Sequence, residues 1–159
     1  MASSSEAIGR KKRTRVDFYQ LSRDPVEQVV PLLARKVLEA GERLLVFCEE
    51  ARARAALSDA LWDRGGVGFL ANGEAGEPYA ARQPILLAAG CDAHNDAKMA
   101  LIADGQWRDG ASAFERVLLL FVAQETEAAR QLWRDLGATR NFDLHIFKQR
   151  EDGGWREGA

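Results

Sequence analysis

The sequence predicts an α/β fold, a single three-layer α/β/α domain with a mostly parallel sheet. Three observations carry that expectation. Short apolar runs rich in β-branched and aromatic residues alternate along the chain with Ala- and Leu-rich stretches of helical period. The run Val117 to Val122 (VLLLFV) is apolar at every position, as a strand covered on both faces must be. Residues 16–50 read as strand, helix and strand, the unit that implies a parallel pair joined by a right-handed crossover.

Val16, Phe18, Tyr19 and Leu21 mark the first strand. Asp24 is placed as helix cap, Pro25 in the first turn, and Glu27 as the partner in an Asp-x-x-Glu capping box. Apolar residues at 26, 29, 30, 33, 37 and 38 share one helical face, and Gly41 ends that helix. Arg43 to Cys48 is the second strand. Glu50 to Trp62 follows as an Ala-rich helix with Ala53, Leu57, Ala60 and Leu61 on one side. A glycine-rich loop with Pro78 spans 64–82. Strands are expected at Ile85 to Ala88 and Met99 to Ala103, and a helical turn at Ala111 to Glu115. Thr126 to Leu136 is the last long helix, stopped by Gly137. Phe142 to Gln149 is the final strand, before an Asp-Gly-Gly turn and Trp155.

The predicted fold is Rossmann-like but without a phosphate-binding loop. A phosphate cradle needs glycines at the first strand-to-helix turn, so that backbone amides can approach the anion. This turn reads Ser22-Arg23-Asp24-Pro25, which sets a carboxylate there instead. Gly65-Gly66-Val67-Gly68 follows a helix, the wrong context for such a loop. The scaffold is one for binding proteins, not nucleotides.

Composition narrows the class further. At 159 residues and 47% hydrophobic, the chain suits one domain with a real core, and no apolar run reaches membrane-spanning length. Cys48 and Cys91 fit reduced thiols of a cytosolic protein. Residues 1–15 form a basic extension with Arg10, Lys11, Lys12, Arg13 and Arg15 against Glu6, and 16–159 form the domain. Setting aside those five basic residues and one acid leaves 17 of 22 basic and 23 of 24 acidic residues. The domain therefore carries about −6. An acidic domain repels nucleic acid over its general surface, leaving only the extension to bind phosphate non-specifically. No apolar stretch follows the basic residues, which argues against a secretory signal.

Catalytic constellations are missing from the sequence. Cys91 and His94 have C-x-x-H spacing, but His145 is the only further nitrogen donor and zinc needs more ligands. No metal and no cofactor is expected. There is no Gly-x-Ser-x-Gly elbow. Glu49 and Glu50 beside Cys48 oppose a thiolate.

Two surfaces read as binding features instead. On the last helix Ala129, Leu132 and Leu136 form the buried stripe, Trp133 lies at its edge, and Arg130 and Arg134 flank Trp133 one turn apart. An aromatic plane between two guanidinium groups suits an acidic, hydrophobic ligand such as a carboxylate-ended peptide with an aromatic side chain. Trp62, Phe69, Leu70 and Tyr79 make the second feature, read either as a cover over the sheet or as a partner patch.

Several segments together resemble one family. They are VDFYQL (16–21), AGERLLV (40–46), LSDALW (57–62) followed by Phe69, Phe121-Val122 before the last helix, and Phe142 to Trp155. The chain is similar over residues 16–156 to the chi subunit of bacterial DNA polymerase III holoenzyme. The resemblance implies a non-catalytic accessory of the clamp-loader complex, at work in the cytoplasm on the nucleoid-associated replisome. Its implied partners are the psi subunit or another clamp-loader component, and the acidic, Phe-terminated C-terminal tail of single-stranded DNA-binding protein. A repair helicase is a further partner through the same surface as psi. The resemblance places tail binding on Val122, Arg130 and Arg134 with Trp62, to which helical geometry adds Trp133. It places the psi-facing surface at Phe69, with Leu70 beside it. The last helix departs from the family pattern by ending at Gly137-Ala138, without a further turn of aromatic and basic residues, which implies a shallower tail pocket. Two rival readings remain: a direct nucleic-acid binder acting through the basic extension, and a degenerate nucleotide-binding enzyme.

Overall fold

The computed structural model describes residues 13–63, 69–91 and 94–158. The described chain alternates strands and helices as the apolar periods require. Strand β1 is Thr14–Leu21, β2 Leu44–Phe47, β3 Gly73–Glu74, β4 Ile85–Ala88, β5 Met99–Ile102, β6 Arg116–Val122, β7 Phe142–Gln149 and β8 Trp155–Glu157. Helix α1 is Val26–Glu39, α2 Ala51–Trp62 and α3 Thr126–Ala138. The strands make one sheet in the order β3-β4-β2-β5-β6-β1-β7-β8. Only the β7–β8 pair is antiparallel.

The sheet separates two apolar cores, which makes the three layers concrete. Tyr19 and Leu21 of β1 meet Val30, Leu33 and Val37 of α1 and Leu57 and Leu61 of α2 on one face. Val16 and Phe18, the alternate residues of the same strand, meet Ala129 and Leu136 of α3 on the other. The central strands are covered on both faces. Leu118, Leu119, Leu120 and Phe121 of β6 are all buried, as the VLLLFV run predicts.

Helix α1 ends as expected. Gly41 adopts φ +84°, its amide donates to the Leu38 carbonyl at 2.9 Å, and the Glu42 amide reaches back to Val37 at 3.2 Å. This pair of bonds is a Schellman closure, and it needs a left-handed residue at Gly41.

Several expectations are corrected. β1 and β2 lie in one parallel sheet but are not neighbours, since β5 and β6 stand between them; the strand–helix–strand pattern fixes direction but not adjacency. Asp24 does not cap α1. Pro25 occupies the cap position without a side-chain hydrogen bond, and Asp24 instead accepts a hydrogen bond from Gln149 Nε2 at 2.9 Å. Gly137 does not stop α3. The helix runs through it to Ala138, and Arg140 makes the left-handed turn with φ +59°. β7 is not the last strand, because Trp155–Glu157 folds back on it. The single helical turn expected at 111–115 lies at Asp109–Ala113. β1 begins at Thr14, so Arg15, counted with the basic extension, is part of the sheet and pairs with Asp17 at 2.8 Å. Asp17 is fully buried and also accepts a hydrogen bond from Arg116 Nε at 2.7 Å. The Gly65-Gly66-Val67-Gly68 segment and residues 1–12 fall outside the described residues.

Candidate functional site

The carboxyl ends of β1, β6 and β7 open into a cleft of about 370 Å³ under α3. Its floor follows from strand register. Gln20 stands opposite Phe121 on one side and Lys148 on the other, while Phe18 one step deeper stands opposite Leu119 and Ile146. Side chains at these paired positions share a face of the sheet. The rows Phe121–Gln20–Lys148 and Leu119–Phe18–Ile146 therefore both face α3. Phe18 packs edge-on against Trp133 with ring centroids 5.2 Å apart, and against Phe121 at 6.5 Å.

The wall is the first half of α3. Thr126, Ala129, Arg130, Trp133 and Arg134 line it, on successive turns of the same side. Val122, the last residue of β6, is joined to α3 by a single turn at Ala123–Glu125. Glu125 tightens that turn by accepting the Val122 amide at 3.0 Å. Arg130 donates to Glu127 at 3.0 Å, with its side chain 65% exposed. Arg134 donates to Gln131 at 2.8 Å. The side chain of Lys148 on the opposite wall makes no hydrogen bond or ion pair among the described residues. Three cations and no carboxylate line the cleft, around an apolar floor of Phe18, Phe121 and Ile146. Such a surface can hold a ligand that carries both negative charge and an apolar group.

Residues 14–144 match the family model of the DNA polymerase III chi subunit, HolC. The chain belongs to that family. Membership makes it an accessory subunit of DNA polymerase III, concerned with DNA replication. No curated protein sequence matches the chain. The family match covers most of the cleft, but Ile146 and Lys148 lie beyond its end.

The chi-family chain brings together three of the five residues singled out for tail binding: Arg130, Trp133 and Arg134. Val122 does not join them. Val117, Leu119 and Phe121 face α3, so strand alternation turns Val122 to the other face, where it packs beside the α1/α2 core. Phe121 takes its place in the cleft. Trp62 ends α2, in the opposite layer, and meets the Phe69 ring at 4.6 Å. It belongs with the second surface, where Phe69 is 66% exposed. Leu70 is half-buried against the α1/α2 core, its amide bonded to the Leu61 carbonyl at 2.9 Å. Leu70 is thus a cover over the sheet, while Phe69 stands out from it.

Sequence reasoning missed Phe18, Gln20, Phe121, Ile146 and Lys148. The signal that could have found them is the pairing of β1 with β6 and β7, which sets alternate residues of all three strands on one face.

The other chemically suggestive groups are held elsewhere. Burial, reinforced by Asp104, pushes the Cys48 thiol up, whereas Glu49 plays no part and the hydrogen bond to the Glu50 backbone acts the other way, against the expected opposition of the two glutamates. Cys91 and His94 share a cavity with Asn95 and Asp96, and among the described residues no three His, Cys, Asp or Glu side chains converge. His145 Nδ1 lies 3.0 Å from Glu157 and Nε2 lies 3.3 Å from Asp143. The amides of Ser22, Arg23 and Asp24, which would face a phosphate in a nucleotide-binding relative of this fold, all donate to Gln149 Oε1 at 3.3, 2.9 and 3.1 Å. A side-chain amide fills that turn.

Proposed function

We propose that this chi-family chain is a non-catalytic tether, linking the clamp-loader complex of DNA polymerase III to single-stranded DNA-binding protein by capturing that protein's acidic C-terminal tail. The cleft under α3 is the receiving site. The observation that carries the reading is the pairing of an aromatic floor, Phe18, Phe121 and Trp133, with Arg130 and Arg134 on the wall above it. The tail's terminal Phe would lie on the rings, and its acidic side chains would face the guanidinium groups. Among the described residues Arg130 has Glu127 and Arg134 has Gln131 as side-chain partner, and Glu127 is itself exposed, so a better-placed carboxylate can displace them.

The exposed Phe69 with Trp62 behind it is the surface we assign to psi or another clamp-loader component, or to a repair helicase in its place. It lies on the layer opposite the cleft, so both partners can be held at once, which a tether requires. The chain would then work in the cytoplasm on the nucleoid-associated replisome, contacting nucleic acid mainly through its partners.

Fluorescence anisotropy with a labelled acidic peptide ending in Asp-Ile-Pro-Phe tests the site. Binding of roughly micromolar strength, about −8 kcal/mol, is expected at low salt. Arg134→Ala should weaken it about five- to tenfold and leave the melting curve unchanged, because the side chain is exposed. Raising salt from about 50 to about 300 mM should weaken the wild type more than the variant. Normal peptide binding by Arg134→Ala would remove the site from α3.

A further inference from the structure

The amino end of β1, opposite the cleft, carries a cationic surface that peptide capture does not use. Arg15 of β1 and Arg116 of β6 are register partners, so two guanidinium groups stand side by side on neighbouring strands. Like charges in that position repel. Asp17 holds them together, two residues along β1 on the same face and fully buried. One of its oxygens accepts Arg15 Nε at 2.8 Å and the other accepts Arg116 Nε at 2.7 Å. A buried carboxylate satisfied in this way fixes both guanidinium groups and leaves one positive charge over. The two arginine side chains remain 39% and 36% exposed, and the terminal nitrogens of Arg15 make no hydrogen bond among the described residues.

Further cations flank the pair. Arg13 directly precedes β1 and is exposed, and Arg140 makes the left-handed turn before β7. The Asn141 carbonyl accepts the Thr14 amide at 3.2 Å, so that turn lies beside the point where the chain enters β1. Neither Arg13 nor Arg140 has a side-chain hydrogen bond or ion pair among the described residues. Arg10, Lys11 and Lys12 come just ahead, and chain length alone keeps Arg10 within about 14 Å of Thr14. The nearest acids are engaged or face away. Glu157 and Asp143 bracket His145 at 3.0 and 3.3 Å, and strand alternation turns Glu115, one step before Arg116, to the other face. A domain that is acidic as a whole is thus cationic where its basic extension leaves it.

We infer that Arg15 and Arg116, clamped on Asp17, anchor a binding surface for the phosphate backbone of DNA, which Arg13, Arg140 and the basic residues 10–12 extend. Guanidinium groups fork onto phosphate oxygens. These cations are strung along the entries of β6, β1 and β7 rather than gathered round one point, which fits a polyanion better than a single small anion. The chain belongs to a subunit family of a DNA polymerase, which makes DNA the polyanion at hand. None of these side chains is aromatic, so contact is with phosphates and independent of base sequence. The surface and the cleft lie at opposite ends of β1, and neither reading depends on the other.

The test is fluorescence anisotropy of a labelled oligothymidylate titrated with the chain in low salt. The logarithm of the affinity should fall with the logarithm of salt concentration with a slope of about −3, as for roughly four phosphates engaged. Arg13→Gln and Arg140→Gln, both at exposed positions, should each weaken binding about threefold and flatten the slope by about 0.7. The double variant Arg15→Gln/Asp17→Asn removes a cation and the buried anion together, so net charge is unchanged and no buried charge is stranded. It should still weaken binding about threefold, because a fixed guanidinium is gone. Arg15→Lys keeps the charge and the ion pair, which guards against a double variant that fails to fold; without the fork it should lose about twofold. Arg150→Gln removes one charge at the other end of β7 and should bind as wild type. Wild-type affinity in both Arg15 variants overturns the anchor. A loss in Arg150→Gln equal to that in Arg13→Gln reduces the effect to net charge and overturns the surface, as does a wild type that binds no DNA in low salt.

Discussion

Gln149 is the residue whose removal should disturb the fold most for its size. Its Oε1 accepts the amides of Ser22, Arg23 and Asp24, and its Nε2 donates to the Asp24 carboxylate. The side chain is buried at the carboxyl end of β7. Two of the accepted bonds are well formed, at 2.9 and 3.1 Å, and are worth about 1 kcal/mol each; the third, at 3.3 Å, is worth less. The bond to Asp24 is charge-assisted and adds about 1.5 kcal/mol, discounted because Asp24 is half-exposed. Gln149→Leu keeps the volume and strands the amides, so it should lose about 3 kcal/mol in urea denaturation with an unchanged slope. Gln149→Ala admits water to the same amides and should lose less, about 2 kcal/mol. Gln149→Glu retains the acceptor but sets a second carboxylate against Asp24. Its loss should be recovered in part by Asp24→Asn, with a coupling of about 1 kcal/mol. If Gln149→Leu is as stable as wild type within about 0.5 kcal/mol, the turn is held by something other than this amide and the reasoning fails.

Two pH dependences follow from the ionic groups. Hydrogen bonding to Glu157, then Asp143, raises the His145 imidazole above its ordinary value despite some burial. The link it makes between β7 and β8 is therefore fully present below about pH 6.5, the unfolded value, and is lost as pH rises through the elevated folded value. His145→Gln should flatten this slope, by about 0.5 kcal/mol at most for so exposed a pair, in chemical denaturation between about pH 5.5 and pH 8. Asp104 behaves oppositely: burial alone would raise its carboxyl, but hydrogen bonds from Arg108 and from the Glu49 and Gln106 amides outweigh burial and hold it below the usual range. That stabilisation is present above about pH 4 and disappears as pH falls through the depressed folded value. Arg108 grips Asp104 at 2.7 and 2.9 Å, so Arg108→Ala should lose about 2 kcal/mol at pH 7 and progressively less in acid. An Arg108→Ala deficit that stays constant down to about pH 2 would assign the loss to packing over Phe47 instead.

What the sequence makes legible is local. The closure at Gly41 depends on a left-handed residue next to the last apolar position of α1, and both are visible in the chain. The Ala129–Leu136 stripe of α3, with Trp133 at its edge and the two arginines beyond, depends only on helical period. What is not legible depends on which strands become neighbours. The family resemblance implies Val122 for tail binding, yet a one-residue step along a strand reverses the face, and it is Phe121 that lines the cleft. Trp62 was grouped with Arg134 although α2 and α3 lie on opposite faces of the sheet, a separation that period and spacing leave undetermined. Lys148 stood in a correctly predicted strand, but its neighbour across β1 could not be named before the order β6-β1-β7 was known. Gln149 acts across more than 120 residues of chain on the turn after β1, and no local pattern announces such a bond.

The topology explains why the cleft lies where it does and why its charge would suit the peptide we propose for it. The chain leaving β1 turns to α1 on one face of the sheet, while the chain leaving β6 turns to α3 on the other and returns as β7, on the far side of β1. α3 must therefore cross above β1, and no connection from β1 itself fills the space between its carboxyl end and that helix. This divergence of connections is where ligands bind in open α/β sheets generally. In a nucleotide-binding member of such folds the amides after the first strand would hold a phosphate at this end. Here Gln149 reaches across from β7 and occupies them, so the open ground beside β1 among the described residues is the aromatic floor of Phe18 and Phe121, and the positive charge around it comes from side chains rather than from backbone. A charge borne by Arg130, Arg134 and Lys148 is movable and spread over two walls. It suits several carboxylates on an extended chain better than one compact phosphate, which is the physical reason to expect a peptide in this cleft.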